Sequence, residues 1–406
     1  MHHLDFMKEA LSIKEEIVDL RRRIHQYPEI GGTEVETQKL VEEYLQNLGI
    51  KTQRIADTGV LGLLEGGGAN SEAVSGPVSV ATVGLRADMD ALKIEEQTGA
   101  EYASRRPGLM HACGHDAHTA ALLGTAKILA AHREELPGNV KFFFQPDEEG
   151  DGGAERMIAE GALENPKVTA MFGAHVNPEI PAGRIGARPG KIYAASNPFD
   201  VTIKGFGSHG ASPHLGIDAI AVAAQVVGAL QLYVSRETDP LDSAVITVGT
   251  FHGGTQRNAI AEEVKISGII RTLGPEMRQK TVTAFRRIVE STVQAHGATA
   301  DIQILTSYPG VVNDEAMTQL ARHSIAELLG EDKLFSLDHA TMGTEDFGIF
   351  LEQVPGCFYQ AGVANPAKTP TVSLHNGQFN IDEDALPVMS AVHAKVAYDY
   401  LRGAKS

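Results

Sequence analysis

The spacing of apolar residues changes several times along the chain, and the changes divide it. Leu11, Ile13, Ile17, Leu20 and Ile24 fall at mixed helical spacing and predict a helix over residues 7–26 that Pro28 stops. Thr33 and Glu36 form a capping box for a second helix, which Gly49 ends. Short strands are expected near 51–55 and 60–64, followed by a Gly-, Ala-, Ser- and Asn-rich surface loop at 66–77. Residues 78–86 and 139–145 are apolar enough for fully buried strands, the second closed by Pro146. An Ala/Leu-rich helix at 119–132 lies between them, and a third buried strand at 169–174 runs into His175. Strands alternating with helices predict an α/β fold with a mainly parallel mixed sheet flanked by helices. In such sheets ligand sites lie beyond the carboxyl ends of the strands.

From about residue 190 the pattern changes. Phe199, Val201 and Ile203 alternate in a strand, and a helix at 216–235, strands at 244–251 and 263–272, a helix at 275–296 and a strand at 299–306 follow. That β-α-β-β-α-β order is the order of a ferredoxin-like α+β unit. After Tyr308-Pro309 the α/β pattern resumes, with helices near 314–329 and 344–354, a strand at 356–363, a loop carrying His375 and a last helix over 382–402. The expected organisation is one α/β domain formed from 1–190 and 308–406, with a second domain, 191–307, inserted into it.

Composition narrows the partners. The formal net charge of −17 argues against nucleic acid and anionic membranes, and no uninterrupted run of 18 apolar residues exists. An anionic substrate therefore needs a local basic pocket. Two cysteines, Cys113 and Cys357, make a disulfide framework unlikely. With no basic region followed by an apolar stretch at the N-terminus, the expectation is a reducing cytoplasm.

The chemistry concentrates in His111-Ala-Cys-Gly-His-Asp-Ala-His118, which holds three histidines, an aspartate and one of the two cysteines. Such residues are the ligands borderline-soft divalent metals prefer, and Cys113 and His115 can point to one side of an extended segment. Asp88 and Asp90, Glu148 and Glu149, and His175 all fall just past predicted strand ends, and His375 lies in a later loop. Five or more N, O and S ligands exceed what one tetrahedral zinc uses, so two metals sharing a bridging group are expected. Glu148 and Glu149 are adjacent; in an extended loop one carboxylate can bind metal while the other takes a proton from an attacking water. Asp90 and Asp116 are candidates to orient a ligating histidine. Two other readings fit these residues: a hydrolase with Cys113 as nucleophile beside His115, and a non-catalytic metal-binding scaffold.

Five motifs then carry a resemblance: Arg86-Ala-Asp-Met-Asp-Ala-Leu92, Met110-His-Ala-Cys-Gly-His-Asp-Ala-His118, Gln145-Pro-Asp-Glu-Glu-Gly150, Gly173-Ala-His-Val176 and Met342-Gly-Thr-Glu-Asp-Phe347. In order and over nearly the whole chain they resemble the amidohydrolase branch of the aminoacylase/carboxypeptidase-type metallopeptidases, which includes hippurate, N-acyl-amino-acid and auxin-conjugate hydrolases. The resemblance implies two divalent metals per subunit (zinc, manganese, cobalt or nickel) on Cys113, His115, Glu149, His175 and His375, with Glu148 as general base and acid. It implies that Asp90 supports the site, and that Asp88 stands where other branches carry a ligating histidine. Gly205-Phe-Gly-Ser-His-Gly-Ala-Ser-Pro-His214 resembles a lid motif whose His209 stabilises the oxyanion, and Asn258 and Arg271 resemble residues that hold a substrate carboxylate. The inserted domain is then a lid that also forms a homodimer. The implied reaction is hydrolysis of an N-acyl amino acid, a small-molecule substrate with a free carboxylate; a dipeptidase or carboxypeptidase using the same site is the alternative. Asp147 departs from the family pattern, which usually carries a small residue there.

Overall fold

The structure is a computed structural model and describes residues 4–70, 80–369 and 372–403. Most of the loop expected at 66–77 lies outside the described residues, as do the first two residues of the strand expected at 78–86; the strand itself is Thr82–Asp88. The chain forms two compact units. The larger takes in the chain up to Gly190, Asn313–Asp338 and the chain from Ile349 on, and the smaller takes in Lys191–Val312 and His339–Gly348.

In the larger unit, eight strands lie in the order 51–55, 59–64, 139–145, 82–88, 170–181, 356–364, 185–186, 334–335. Strands 139–145, 82–88, 170–181 and 356–364 run parallel at the centre, while the 51–64 hairpin joins 139–145 antiparallel. Every residue of Thr82–Asp88 and Asn139–Gln145 is buried, as expected of strands covered on both faces. Register then sets the level of the functional side chains. Asp88 lies opposite Gln145, Arg86 opposite Gly173, and His175 opposite Gln360, so Asp88 and His175 stand at one height in the sheet. Helices His115–Ala131 and Ala385–Gly403 are buried along most of their length. They approach closely at Gly124, where an added Cβ would come within 2.6 Å of the Ser390 hydroxyl.

Several expected elements differ in detail. The first helix is broken at Ile13 into Phe6–Ser12 and Lys14–Gln26. The Thr33–Glu36 capping box does not form. Thr33 bonds the Ile30 carbonyl instead, and the Glu29 carboxylate accepts the Glu36 and Thr37 amides at the start of helix Val35–Asn47. The helix after Cys113 begins at His115, four residues earlier than its Ala/Leu content indicates. Finally, the strand expected to stop before His175 continues to Pro181, so His175 lies within it.

The smaller unit is a four-stranded antiparallel sheet in the order 299–304, 195–204, 263–272, 244–253. With the helices Ala219–Leu232 and Pro275–Ala295 this is the ferredoxin-like β-α-β-β-α-β arrangement. Phe199, Val201, Ile203, Val226, Ile266 and Phe285 belong to its core. The stretch Ala219–Glu237 is long and apolar enough to cross a membrane. However, Val222, Ala223, Val226, Leu230 and Tyr233 bury its inner face in that core.

Candidate metal centre and active site

Most of the candidate residues of the larger unit are carried on the segments that follow its parallel strands. Asp90 comes two residues after strand Thr82–Asp88, and Glu148 and Glu149 occupy the turn after Asn139–Gln145. Cys113 and His115 flank Gly114, which has φ 86° and sits where any Cβ would run into the Val176 side chain. Only glycine meets both conditions. Cys113 and His115 are therefore set by a left-handed turn entering a helix, not by an extended segment. His375 also has a left-handed backbone, φ 61°, and its N–H is bonded 2.9 Å from the Ala112 carbonyl, which pins its loop to the Cys113 segment.

These placements bring five candidate ligands together in two triads. Cys113, His115 and His175 offer ligand atoms within 4.8 Å of one another, and so do Cys113, Glu149 and His375. Cys113 is common to both triads. Its Sγ lies 3.4 Å from His175 Nε2, and His375 Nε2 lies 3.0 Å from Glu149 Oε1. A third set, His115 with Glu148 and Glu149, places both carboxylates of the turn beside the same imidazole. Cys113, His115, His175 and Glu148 are buried, Glu149 is half-buried, and His375 is exposed at the rim.

The surroundings of these side chains suit a cation. Asp90 Oδ1 holds His115 Nδ1 at 3.0 Å and Asp90 Oδ2 accepts the Glu149 amide at 2.9 Å, so one carboxylate aligns two candidate ligands. That leaves His115 Nε2 buried and, among the described residues, without a hydrogen-bond partner, so this is the ring atom open to a cation. His175 donates Nδ1–H to the Val176 carbonyl at 2.8 Å, which fixes the tautomer with Nε2 towards Cys113. Burial and the neighbouring His118 push His175 down to about 3, so it stays a neutral donor. Burial alone would also lower His115, but the Asp88, Asp90 and Glu149 charges outweigh it and hold the ring at about 10. The acidic cluster thus favours positive charge at this place. Burial and the Glu149 and Glu148 charges push the Cys113 thiol well up. A nucleophilic cysteine needs the opposite shift, so the geometry disfavours Cys113 as nucleophile and suits a thiolate that ionises against a metal.

Not every residue singled out from the sequence belongs to this cluster. Asp116 does not orient a ligating histidine. Its carboxylate accepts from Arg21 Nε at 2.7 Å and pairs with His25 Nδ1 at 2.7 Å. His118 donates Nδ1–H to Asp88 and accepts the Val176 amide on Nε2 at 2.9 Å, so both its nitrogens are taken. Asp88 is in turn held by Arg86 at 2.6 Å. His209, Asn258 and Arg271 lie in the smaller unit. His209 is exposed and pairs as an isolated bridge with Ala259, next to Asn258. Arg271 sits in strand Glu263–Thr272 with Nη1 buried and unpartnered, and among the described residues no carboxylate pairs with it. Burial lowers its pKa accordingly.

Residues Arg21 and His25 were not singled out from the sequence. Arg21 falls on the buried stripe of its helix with Ile17 and Ile24, and a charged residue on an apolar stripe was the available signal.

The family model for peptidase family M20/M25/M40 matches residues 84–399. The chain belongs to that family. It is 39% identical to the Arabidopsis thaliana IAA-amino acid hydrolase ILR1-like 4, over 95% of this chain and 86% of that protein. To the Bacillus subtilis N-acetyl-L-cysteine deacetylase it is 38% identical, over 92% of this chain and 86% of that one. Among solved structures it resembles a Bacillus subtilis dinuclear metal-binding peptidase of the M20 family, with TM-score 0.82 and 32% identity over 96% of this chain and 99% of that one. Membership and geometry agree on the coarse description: this is a metal-dependent amidohydrolase of the M20 type.

Proposed function

We propose that the protein hydrolyses the amide bond between an acyl group and an amino acid whose α-carboxylate is free, using two divalent metals. The observation that carries this reading is the pair of ligand triads sharing Cys113, with Glu148 beside them. Cys113, His115 and His175 would hold one ion, and Cys113, Glu149 and His375 the other. Zinc, manganese, cobalt and nickel all suit this mixed thiolate, imidazole and carboxylate set. When bound, such a pair acidifies a water and polarises a carbonyl.

The chain's own residues do the rest. Glu148, buried and next to Glu149, takes a proton from the attacking water and returns it to the leaving amine nitrogen. Asp90 keeps His115 and the Glu149 backbone in register through the reaction. His209 donates a hydrogen bond to the oxyanion. Arg271, a half-buried guanidinium with no carboxylate paired to it among the described residues, binds the substrate's α-carboxylate, helped by Asn258. The relatives named as hydrolases of amino-acid conjugates and as an N-acetylcysteine deacetylase support this substrate class.

A homodimer through the smaller unit belongs to the same proposal. Strand Ala244–Gly253 is a sheet edge with Val245 and Phe251 exposed, and helix Ala219–Leu232, packed beside it, exposes Ile220 and Leu232. An edge strand flanked by an apolar helix face is suited to pairing with a second copy. The two cysteines are free and buried, which suits a reducing cytoplasm.

The test starts from metal-free protein. Zinc, manganese, cobalt or nickel is restored in turn, and free amino acid is measured from a panel of N-acyl amino acids and dipeptides. Release from N-acyl amino acids supports the reading, while a preference for dipeptides moves it to the peptidase alternative. No release with any metal refutes it.

A further inference from the structure

Both faces of the Asp147–Glu149 turn are tied to buried carboxylates. On one side Asp90 accepts the Glu149 amide. On the other, Glu34 Oε1 accepts the Asp147 amide at 2.8 Å, and Glu34 Oε2 accepts the Thr58 hydroxyl at 2.5 Å. Glu34 is fully buried, and among the described residues no cation pairs with it. It stands at the start of helix Val35–Asn47 but does not cap it, since Glu29 has that role. Both Glu34 oxygens are therefore committed to segments far away in sequence: the turn at Thr58 and the turn that carries Glu148 and Glu149.

A buried carboxylate without a cation is costly, and the cost is visible here: burial pushes Glu34 up to about 7, with the Asp90 charge adding and the Thr58 and Asp147 hydrogen bonds opposing. Two acceptors are what the place demands, because a hydroxyl and an amide N–H both point at it, and only a carboxylate accepts on both atoms. The turn it holds has no slack. Asp147 is left-handed at φ 57°, its side chain is paired with Arg156 at 2.8 Å, and a Cβ at Gly31 or Gly150 would collide with it. The aspartate that departs from the family pattern is thus neutralised by Arg156 and faces Gly31.

We propose that Glu34 is a positioning residue for the catalytic turn: strung between Thr58 and the Asp147 amide, it sets where Glu148 and Glu149 stand relative to His115. The inference rests on the amidohydrolase reading for its catalytic consequence but not for its structural one. Its test compares Glu34→Leu, which offers no acceptor, with Glu34→Gln, which keeps one. Metal-free protein is titrated with Mn²⁺ by calorimetry, and kcat and KM are measured separately.

In Glu34→Leu the Mn²⁺ affinity and kcat are expected to fall by about 10- to 100-fold, the range for partners that orient metal ligands, with KM changed little. Glu34→Gln should recover most of both losses, and the melting temperature of Glu34→Leu should not fall in proportion, since a buried charge is removed with the hydrogen bonds. A folded Glu34→Leu with wild-type affinity and kcat overturns the proposal, as does a drop in melting temperature with kcat intact. If Glu34→Leu does not fold, Thr58→Val, which frees one oxygen of Glu34, should show the same pattern at smaller size, and wild-type values there overturn it. A wild-type enzyme that releases no amino acid refutes the amidohydrolase reading alone, because the Mn²⁺ titration is done without substrate.

Discussion

Replacing Arg21 by methionine tests how the start of helix His115–Ala131 is anchored. Arg21 is wholly buried. It donates Nε–H to Asp116, lies 3.4 Å from His25 Nδ1 and 3.4 Å from a Glu383 oxygen, and stacks 4.9 Å from the Tyr102 ring centre. Methionine keeps much of its length, so what is lost is charge and hydrogen bonding. Asp116 is held far below the usual carboxylate range: burial opposes this, but Arg21 and His25 outweigh it. His25 is raised, because Asp116 and Glu96 outweigh burial and the repulsion of Arg21. Without Arg21, His25 is the remaining buried cation facing Asp116.

The sign of the pH effect follows. A raised histidine contributes stability that is complete below its unfolded value, about 6.5, and is lost as pH rises through the folded one. Near pH 6 the variant still neutralises Asp116 through His25 and loses charge-assisted hydrogen bonds, about 1.5–3 kcal/mol. Once His25 loses its proton, Asp116 is an unpaired buried charge, and the loss should grow to about 3–5 kcal/mol. Urea unfolding of wild type and Arg21→Met at pH 6 and pH 9.5 measures the difference. A loss that is the same at both pH values, or below about 1 kcal/mol at the higher one, refutes the assignment of Asp116 to this pair.

Three further outcomes are expected. Gly114→Ala combines left-handed strain of about 1–2 kcal/mol with a collision at Val176. It should lower both the unfolding midpoint and the amount of metal retained after dialysis, while an equivalent change at open Gly161 moves stability but not metal. Glu148→Gln should lower kcat by about 10²- to 10⁴-fold with metal content unchanged in elemental analysis; full turnover there would remove Glu148 from proton transfer. Asp90→Asn should weaken metal binding by about 10- to 100-fold, read by competition with a chelating dye, and unchanged affinity would show that the His115 ring needs no such support.

The parts of the site that were legible share one property: their chemistry is written locally. Cys113 and His115 sit two apart around a glycine, Glu148 and Glu149 are adjacent after a strand-closing proline, and His175 follows a short apolar run. Residue type and position after a strand were enough to single them out. Glu34 carries no such mark, and Arg21 only the weaker one of a charge on the apolar stripe of its helix. Glu34 reads as the first polar residue of an amphipathic helix and Arg21 as one of three consecutive arginines. Their roles depend on partners far along the chain: Asp147 lies 113 residues from Glu34, and Asp116 lies 95 from Arg21.

The sequence by itself therefore determined the fold class, the ferredoxin-like order of the smaller unit and the candidate ligand residues, because hydrophobic period and side-chain chemistry are local quantities. Only the tertiary structure decided that Cys113 is common to both triads, that Asp116 faces away from the cluster to Arg21 and that His118 has no lone pair to spare. It also decided that the Glu148–Glu149 turn is held by Asp90 and Glu34. Each of these is a question of which buried donor meets which acceptor, and strand register and helix packing, not sequence neighbours, answer it.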